Sequence, residues 1–111
     1  MDYPVSDITH INELEISKII PDLPKPFIIL FERHDISVEL FRPDKVDRQT
    51  PHDRDEIYII SSGSGTFRRE MEYINFTAGD FIFVARGEDH RFESFTDDFR
   101  TWVIFFGPKI K

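Results

Sequence analysis

At 111 residues the chain has the length of one domain, and its 40% hydrophobic and 14% aromatic content suits a single packed core. A net charge of -7 argues against a nucleic-acid partner, and the absence of cysteine excludes disulfides and thiolate metal ligands together. No charged start followed by a long apolar run opens the N-terminus, so neither a signal peptide nor a membrane span is expected, and the cytoplasm is the predicted location.

Residues from about 6 to 20 predict one helix. Ser6 or Asp7 offers an N-cap, Ile8, Ile11, Leu14 and Ile19 fall near helical spacing, and Pro21 stops it. Pro21 to Pro26 is a stiff connector, which divides the chain into helix and connector at 1–26 and a β domain at 27–111. Phe27 to Phe31 reads as a short apolar strand, Arg33-His34-Asp35 as a turn, and Ile36 to Arg42 alternates. Ile36, Val38 and Leu40 share one face there, with Ser37, Glu39 and Phe41 on the other. Pro43 to Gln49 is a polar loop. Ile57 to Ser61 is the next strand, closed by the turn Ser62-Gly63-Ser64-Gly65. Thr66 to Phe76 reads as a hairpin turning at Arg69 to Met71, and Thr77 to Asp80 as a further turn. Phe81 to Val84, His90 to Phe95 and Thr101 to Phe106 complete the strands.

Many short strands with frequent turn signals mean an all-β sandwich or barrel. Several runs are apolar on both faces and need cover on both, which predicts a homodimer with Phe27 to Phe31 and the preceding helix as its interface. The chain carries no glycine-rich phosphate loop, no nucleophile elbow and no His-Glu-x-x-His helix.

The chemistry concentrates around Pro51-His52-Asp53-Arg54-Asp55-Glu56 and a downstream histidine, His90. Two imidazoles and one carboxylate suit a divalent transition metal with open positions. On a straight strand, at roughly 3.3 Å per residue, His52 and Glu56 would stand about 13 Å apart, so the chain between them must bend. Pro51 and the polar insert make that bend plausible.

These segments resemble the two motifs of the cupin superfamily, small β-barrels with a metal in the bowl. The first motif is Gly, five residues, His-x-His, three or four residues, Glu, six residues and Gly. His52, Glu56 and Gly63 stand at the second histidine, the glutamate and the closing glycine. The second motif is Gly, five residues, Pro-x-Gly, two residues, His, three residues and Asn, and Gly79, Gly87 and His90 match it. Asp44, Ala85 and Ser94 depart from the pattern in turns and at a strand end, and Thr50 stands where the first histidine of His-x-His belongs. The resemblance spans about Ile36 to Phe106.

It implies a double-stranded β-helix, the jelly-roll barrel, with one short N-terminal helix outside it. It also implies one divalent ion (Fe, Mn, Ni or Zn) on His52, Glu56 and His90, with water, Thr50 or Gln49 near the position of the missing histidine. Tyr58, Phe92 and Trp102 are read as facing the interior, and Thr50, Tyr58 and Trp102 as lining a small-molecule site. Arg42 and Arg100 stand at strand ends where an arginine holds either a carboxylate ligand or a surface ion pair. By analogy the chemistry is metal-dependent oxygenation or isomerisation, with no dedicated acid or base in view; the other class is a non-catalytic module or sensor binding a sugar-like ligand, with or without metal.

Overall fold

The computed structural model describes residues 10–47 and 49–107; the proposed caps Ser6 and Asp7 lie outside them. The helix α1 runs Glu13–Ile19, later than expected, because Asn12 caps it by accepting from the Glu15 amide at 3.0 Å. A single 3-10 turn, Ile20–Asp22, takes up the first part of the connector and tolerates Pro21 at its start. Eight strands follow: β1 Phe27–Arg33, β2 Ile36–Phe41, β3 Asp55–Ser62, β4 Ser64–Arg69, β5 Glu72–Thr77, β6 Phe81–Val84, β7 His90–Phe95 and β8 Arg100–Phe106.

All pairings are antiparallel, in a five-stranded sheet ordered β1-β2-β8-β3-β6 and a three-stranded sheet ordered β5-β4-β7. β8 lies between β2 and β3, and so joins the two halves of the larger sheet. The turns at His34-Asp35 and Glu70-Met71 are two residues long, and each opens with a positive φ, 55° at His34 and 52° at Glu70. Gly65 is needed for a different reason. A Cβ there would fall 2.0 Å from the Ser94 carbonyl oxygen, so only glycine lets β4 and β7 pair at that point.

The larger sheet is apolar on both faces and is covered on both. Its inner face (Phe41, Tyr58, Ile60, Ile82, Val84 and Val103) packs on Phe67, Phe76 and Phe92 of the smaller sheet, and on Phe99. Its outer face carries Ile28, Leu30 and Leu40 beneath Ile16, Ile19 and Ile20 of the helical segment, with Trp102 packed alongside. Each such aliphatic side chain, fully buried, contributes roughly 1.5–3 kcal/mol. Ile28 and Leu30 are thus buried under α1, while Phe27, Ile29 and Phe31 stay half-buried and Leu14 of α1 is 60% exposed. On β6 two neighbouring aromatic side chains are also open, Phe81 at 61% and Phe83 at 38% exposed.

A bulge in β1 re-aims one carboxylate. Ile29 faces Glu39 and Phe31 faces Val38, leaving Leu30 as an extra residue between them. Side-chain parity therefore switches along β1, and Glu32 comes opposite Ser37, on the same sheet face as Glu39. Among the described residues no helix is long and apolar enough to cross a membrane.

Candidate metal centre and its cavity

Glu56 and Tyr58 point inward from β3, and both are fully buried. His52 lies in the loop before β3, so the expected bend occurs as a loop and not as a bulged strand. Its carbonyl accepts from the Gly87 amide at 2.8 Å, which ties that loop to the turn leading into β7. His90, the first residue of β7, enters the same space from the opposite sheet and is 1% exposed. Its Nδ1 bonds the Glu88 carbonyl at 3.0 Å, and this directs Nε2 at Glu56.

His52, Glu56 and His90 offer donor atoms that all lie within 4.8 Å of one another. Glu56 Oε1 is 2.7 Å from His90 Nε2 and 3.8 Å from His52 Nε2. His90 and Glu56 thus make a close ion-pair contact, yet both Glu56 oxygens and His90 Nε2 are buried without a well-formed hydrogen bond among the described residues. Buried polar atoms are nearly always paired, and three orphans converging on one point mark a place built for something else.

The local electrostatics follow from burial and from the Glu56 charge. Burial pushes His52 below its ordinary value, against the pull of Glu56. Burial acts the same way on His90, yet Glu56 and the Glu88 carbonyl outweigh it and raise that residue. Tyr58 is raised well above the usual phenol range by burial and then by Glu56, so its hydroxyl stays protonated and donates to Gln49 Oε1 at 3.3 Å.

A cavity of about 500 Å³ opens beside His52, within the range of small-molecule sites. Phe27, Ile29, Phe41, Val103 and Phe105 form its apolar wall, and Glu32, Ser37, Glu39, Gln49, Thr50 and Arg54 supply polar groups. Arg54 is committed to main-chain carbonyls of Asp35, Phe105 and Gly107 and so braces the rim. Glu39 is the group that sequence reasoning passed over. Burial, then repulsion from Glu56 and Glu32, lifts it to about 7 in spite of Arg54. The signal was present in the alternation of β2, where Glu39 shares a face with Ser37 and the core residue Phe41.

The other expected positions divide. Thr50 lines the cavity from an exposed position. Tyr58 is in the core beside the trio, with His90 at 6.2 Å between ring centroids. Trp102 is not at the site. It faces outward with Leu40 and Ile59 as cross-strand neighbours, and its indole donates to Glu13 Oε1 at 2.9 Å. β8 is apolar on both faces, so alternation offered no choice between them; Val103 and Phe105 face the cavity instead. Arg42 bonds the Ser17 carbonyl at 3.0 Å and Arg100 pairs with Glu13, so both arginines serve the helical layer and leave the cavity without a free guanidinium among the described residues.

Comparison with known proteins agrees with the fold. Residues 37–105 match the cupin domain family. An uncharacterized protein of Streptomyces coelicolor is 29% identical over 101 residues, covering 89% of this chain and 94% of the relative. The crystal structure of a cupin 2 conserved barrel domain protein from Salinispora arenicola superposes with a TM-score of 0.69 at 18% identity, covering 91% of each chain. A cupin-2 domain containing protein from Shewanella frigidimarina gives 0.67 at 17% identity, covering 87% of this chain and 94% of that one.

Proposed function

The chain belongs to the cupin family, and on that premise we propose that His52, Glu56 and His90 hold one divalent metal ion beside a small-molecule cavity. The observation that carries this is that both Glu56 oxygens and His90 Nε2 are buried together without a hydrogen-bond partner among the described residues. A carboxylate without hydrogen bonds in that position is costly to bury, and a cation among these donors removes the cost. Imidazole with carboxylate suits iron, manganese, nickel or zinc.

The reading extends to a metal-dependent enzyme acting on a small polar or aromatic molecule by oxygenation or isomerisation. A bound ion would supply a Lewis acid or an oxygen-binding centre. The protein's own share is legible in its side chains. The apolar wall from Phe27 to Phe105 excludes water from one side of the ligand, and Glu39, titrating near neutral pH, can take up or release a proton within the cavity. Three lining acids, Glu32, Glu39 and Asp53, and no free arginine among the described residues make the cavity a poor host for an anion.

Metal analysis of untagged protein purified without chelator tests the reading, with about one ion per chain expected and a marked loss in His52→Ala. No binding of any of the four ions would sink it. Anaerobic Fe(II) loading followed by oxygen uptake over catechols, diketones and amino-acid derivatives then tests the reaction type. A second reading, a sugar-like ligand-binding module without catalysis, draws support from the 3.1 Å approach of Gln49 Oε1 to His52 Nε2, which can hold the loop without an ion. Ligand binding that survives a chelator, with no turnover under any metal, would favour it. A homodimer remains part of the proposal, through Phe27 to Phe31 and the helix with its exposed Leu14, and the open Phe81 and Phe83 of β6 offer a second apolar surface; a monomer mass by light scattering at micromolar concentration would reject it.

A further inference from the structure

The gap that Thr50 leaves in the ligand set is approached by the residue before it. Gln49 turns its side chain inward, and its Oε1 lies 3.1 Å from His52 Nε2. Two donors each about 2.1 Å from one ion stand about 3.0 Å apart at a right angle and about 3.4 Å apart at a tetrahedral one. Gln49 Oε1 is thus spaced from His52 as a co-ligand would be, and nearly as closely as His90 is from Glu56, at 2.7 Å.

The orientation of the amide is imposed by its neighbours. Asp47, 2% exposed, accepts from Gln49 Nε2 at 2.8 Å, from the Gln49 amide at 3.0 Å and from the Phe92 amide at 2.9 Å. A carboxylate in that role only accepts, so Nε2 must face Asp47 and Oε1 must face His52 and Tyr58. Tyr58 donates to the same oxygen and uses one lone pair, leaving the other toward His52. Three hydrogen bonds to a buried carboxylate are more than a surface loop requires, and their combined effect is to aim one oxygen atom.

We propose that Gln49 supplies its amide oxygen as a fourth ligand in place of the missing histidine, with Asp47 and Tyr58 as the residues that position it. This rests on the metal reading of His52, Glu56 and His90. The resulting set has two imidazole nitrogens and two oxygens, a harder site than one with three imidazoles, and it narrows the usual preference for nickel over manganese.

The test uses the full chain, stripped of metal and titrated with Co(II), Mn(II) and Ni(II), with the visible absorption of the Co(II) form as a second readout. Gln49→Ala is expected to weaken Co(II) binding roughly 10- to 100-fold and to shift its absorption bands; Asp47→Asn is expected to weaken it about 10-fold, as a misaimed ligand does. Gln49→His is expected to restore affinity and to favour Ni(II) over Mn(II) more strongly than the natural protein. If Gln49→Ala fails to fold, the bands of Gln49→His decide: bands identical to the natural protein's place residue 49 outside the coordination sphere and overturn the proposal. Natural protein that binds Co(II), with Gln49→Ala unchanged in affinity and spectrum, also overturns it and leaves the three-ligand site standing. Natural protein that binds none of the three ions overturns both.

Discussion

The two faces of the five-stranded sheet bury similar apolar side chains but treat their polar groups in opposite ways. On the outer face one carboxylate, Glu13 of α1, takes hydrogen bonds from Ser61, Arg100 and Trp102, and these partners hold it below its ordinary value although burial acts the other way. On the inner face a fully buried carboxylate, Glu56, has no hydrogen-bond donor among the described residues, and a second, Glu39, is lifted to about 7. The outer layer is assembled for stability, with its charges matched. The inner layer gathers titratable groups that lack hydrogen-bond donors, which is how a protein reserves a place for a ligand.

Substitutions can break that contrast. The largest effect is expected at Glu56→Met: metal affinity falls about 100-fold or more, while the metal-free protein stays within about 1 kcal/mol of the natural one, since the cost of burying the carboxylate and its 2.7 Å contact with His90 are lost together. Calorimetric metal titration and urea unfolding in chelator read the two effects separately. Trp102→Ala should do the reverse, costing about 2–4 kcal/mol in urea unfolding with metal affinity unchanged. A metal-affinity loss in that variant would erase the division between the layers.

Glu39→Gln sharpens the contrast through pH. The folded state raises Glu39 from 4.5 to about 7, so it favours the protonated form, and stability drains away as pH rises through that window. A glutamine cannot ionise and escapes the loss. The variant should therefore match the natural protein near pH 4 and exceed it by about 1–3 kcal/mol at about pH 8, as followed by thermal unfolding across pH. Equal stability at both ends would show Glu39 to be well solvated. The smallest effect is expected at Glu13→Gln, about 0.5–1 kcal/mol, because the carboxylate is partly open to water.

Most of the fold could be read in advance because its punctuation is local. Pro21, His34-Asp35, Gly63, Gly79 and Gly87 end or turn segments by backbone chemistry that does not depend on the rest of the molecule. The trio His52, Glu56 and His90 was legible from motif spacing, and the need for a bend between the first two followed from strand geometry alone. What escaped depends on which face is which. Trp102 could not be assigned a side in a strand apolar on both, and Glu32 reaches the inner face only through a bulge at Leu30 that leaves no mark in the alternation. Asp47 was hidden for a third reason: an aspartate in a polar loop looks solvated until the amides that cover it, at nearby Gln49 and distant Phe92, are brought in by the fold.

The place of β8 in the sheet governs the order in which the molecule can assemble. β2 and β3 meet only through this strand, and the helix is moored to it across 87 to 89 residues of sequence by Arg100 and Trp102 on Glu13. Until residues 100–106 are made, a growing chain can close its hairpins and lay α1 on β1 and β2, but cannot join the halves of the large sheet or tie Glu13 to β8. Assembly therefore waits for a segment near the far end of the chain and is dominated by non-local contacts, the regime of slow folding. During that wait the edges of β2 and β3 that β8 will pair stand open together, and a nascent chain halted before Arg100 would be the species most apt to aggregate.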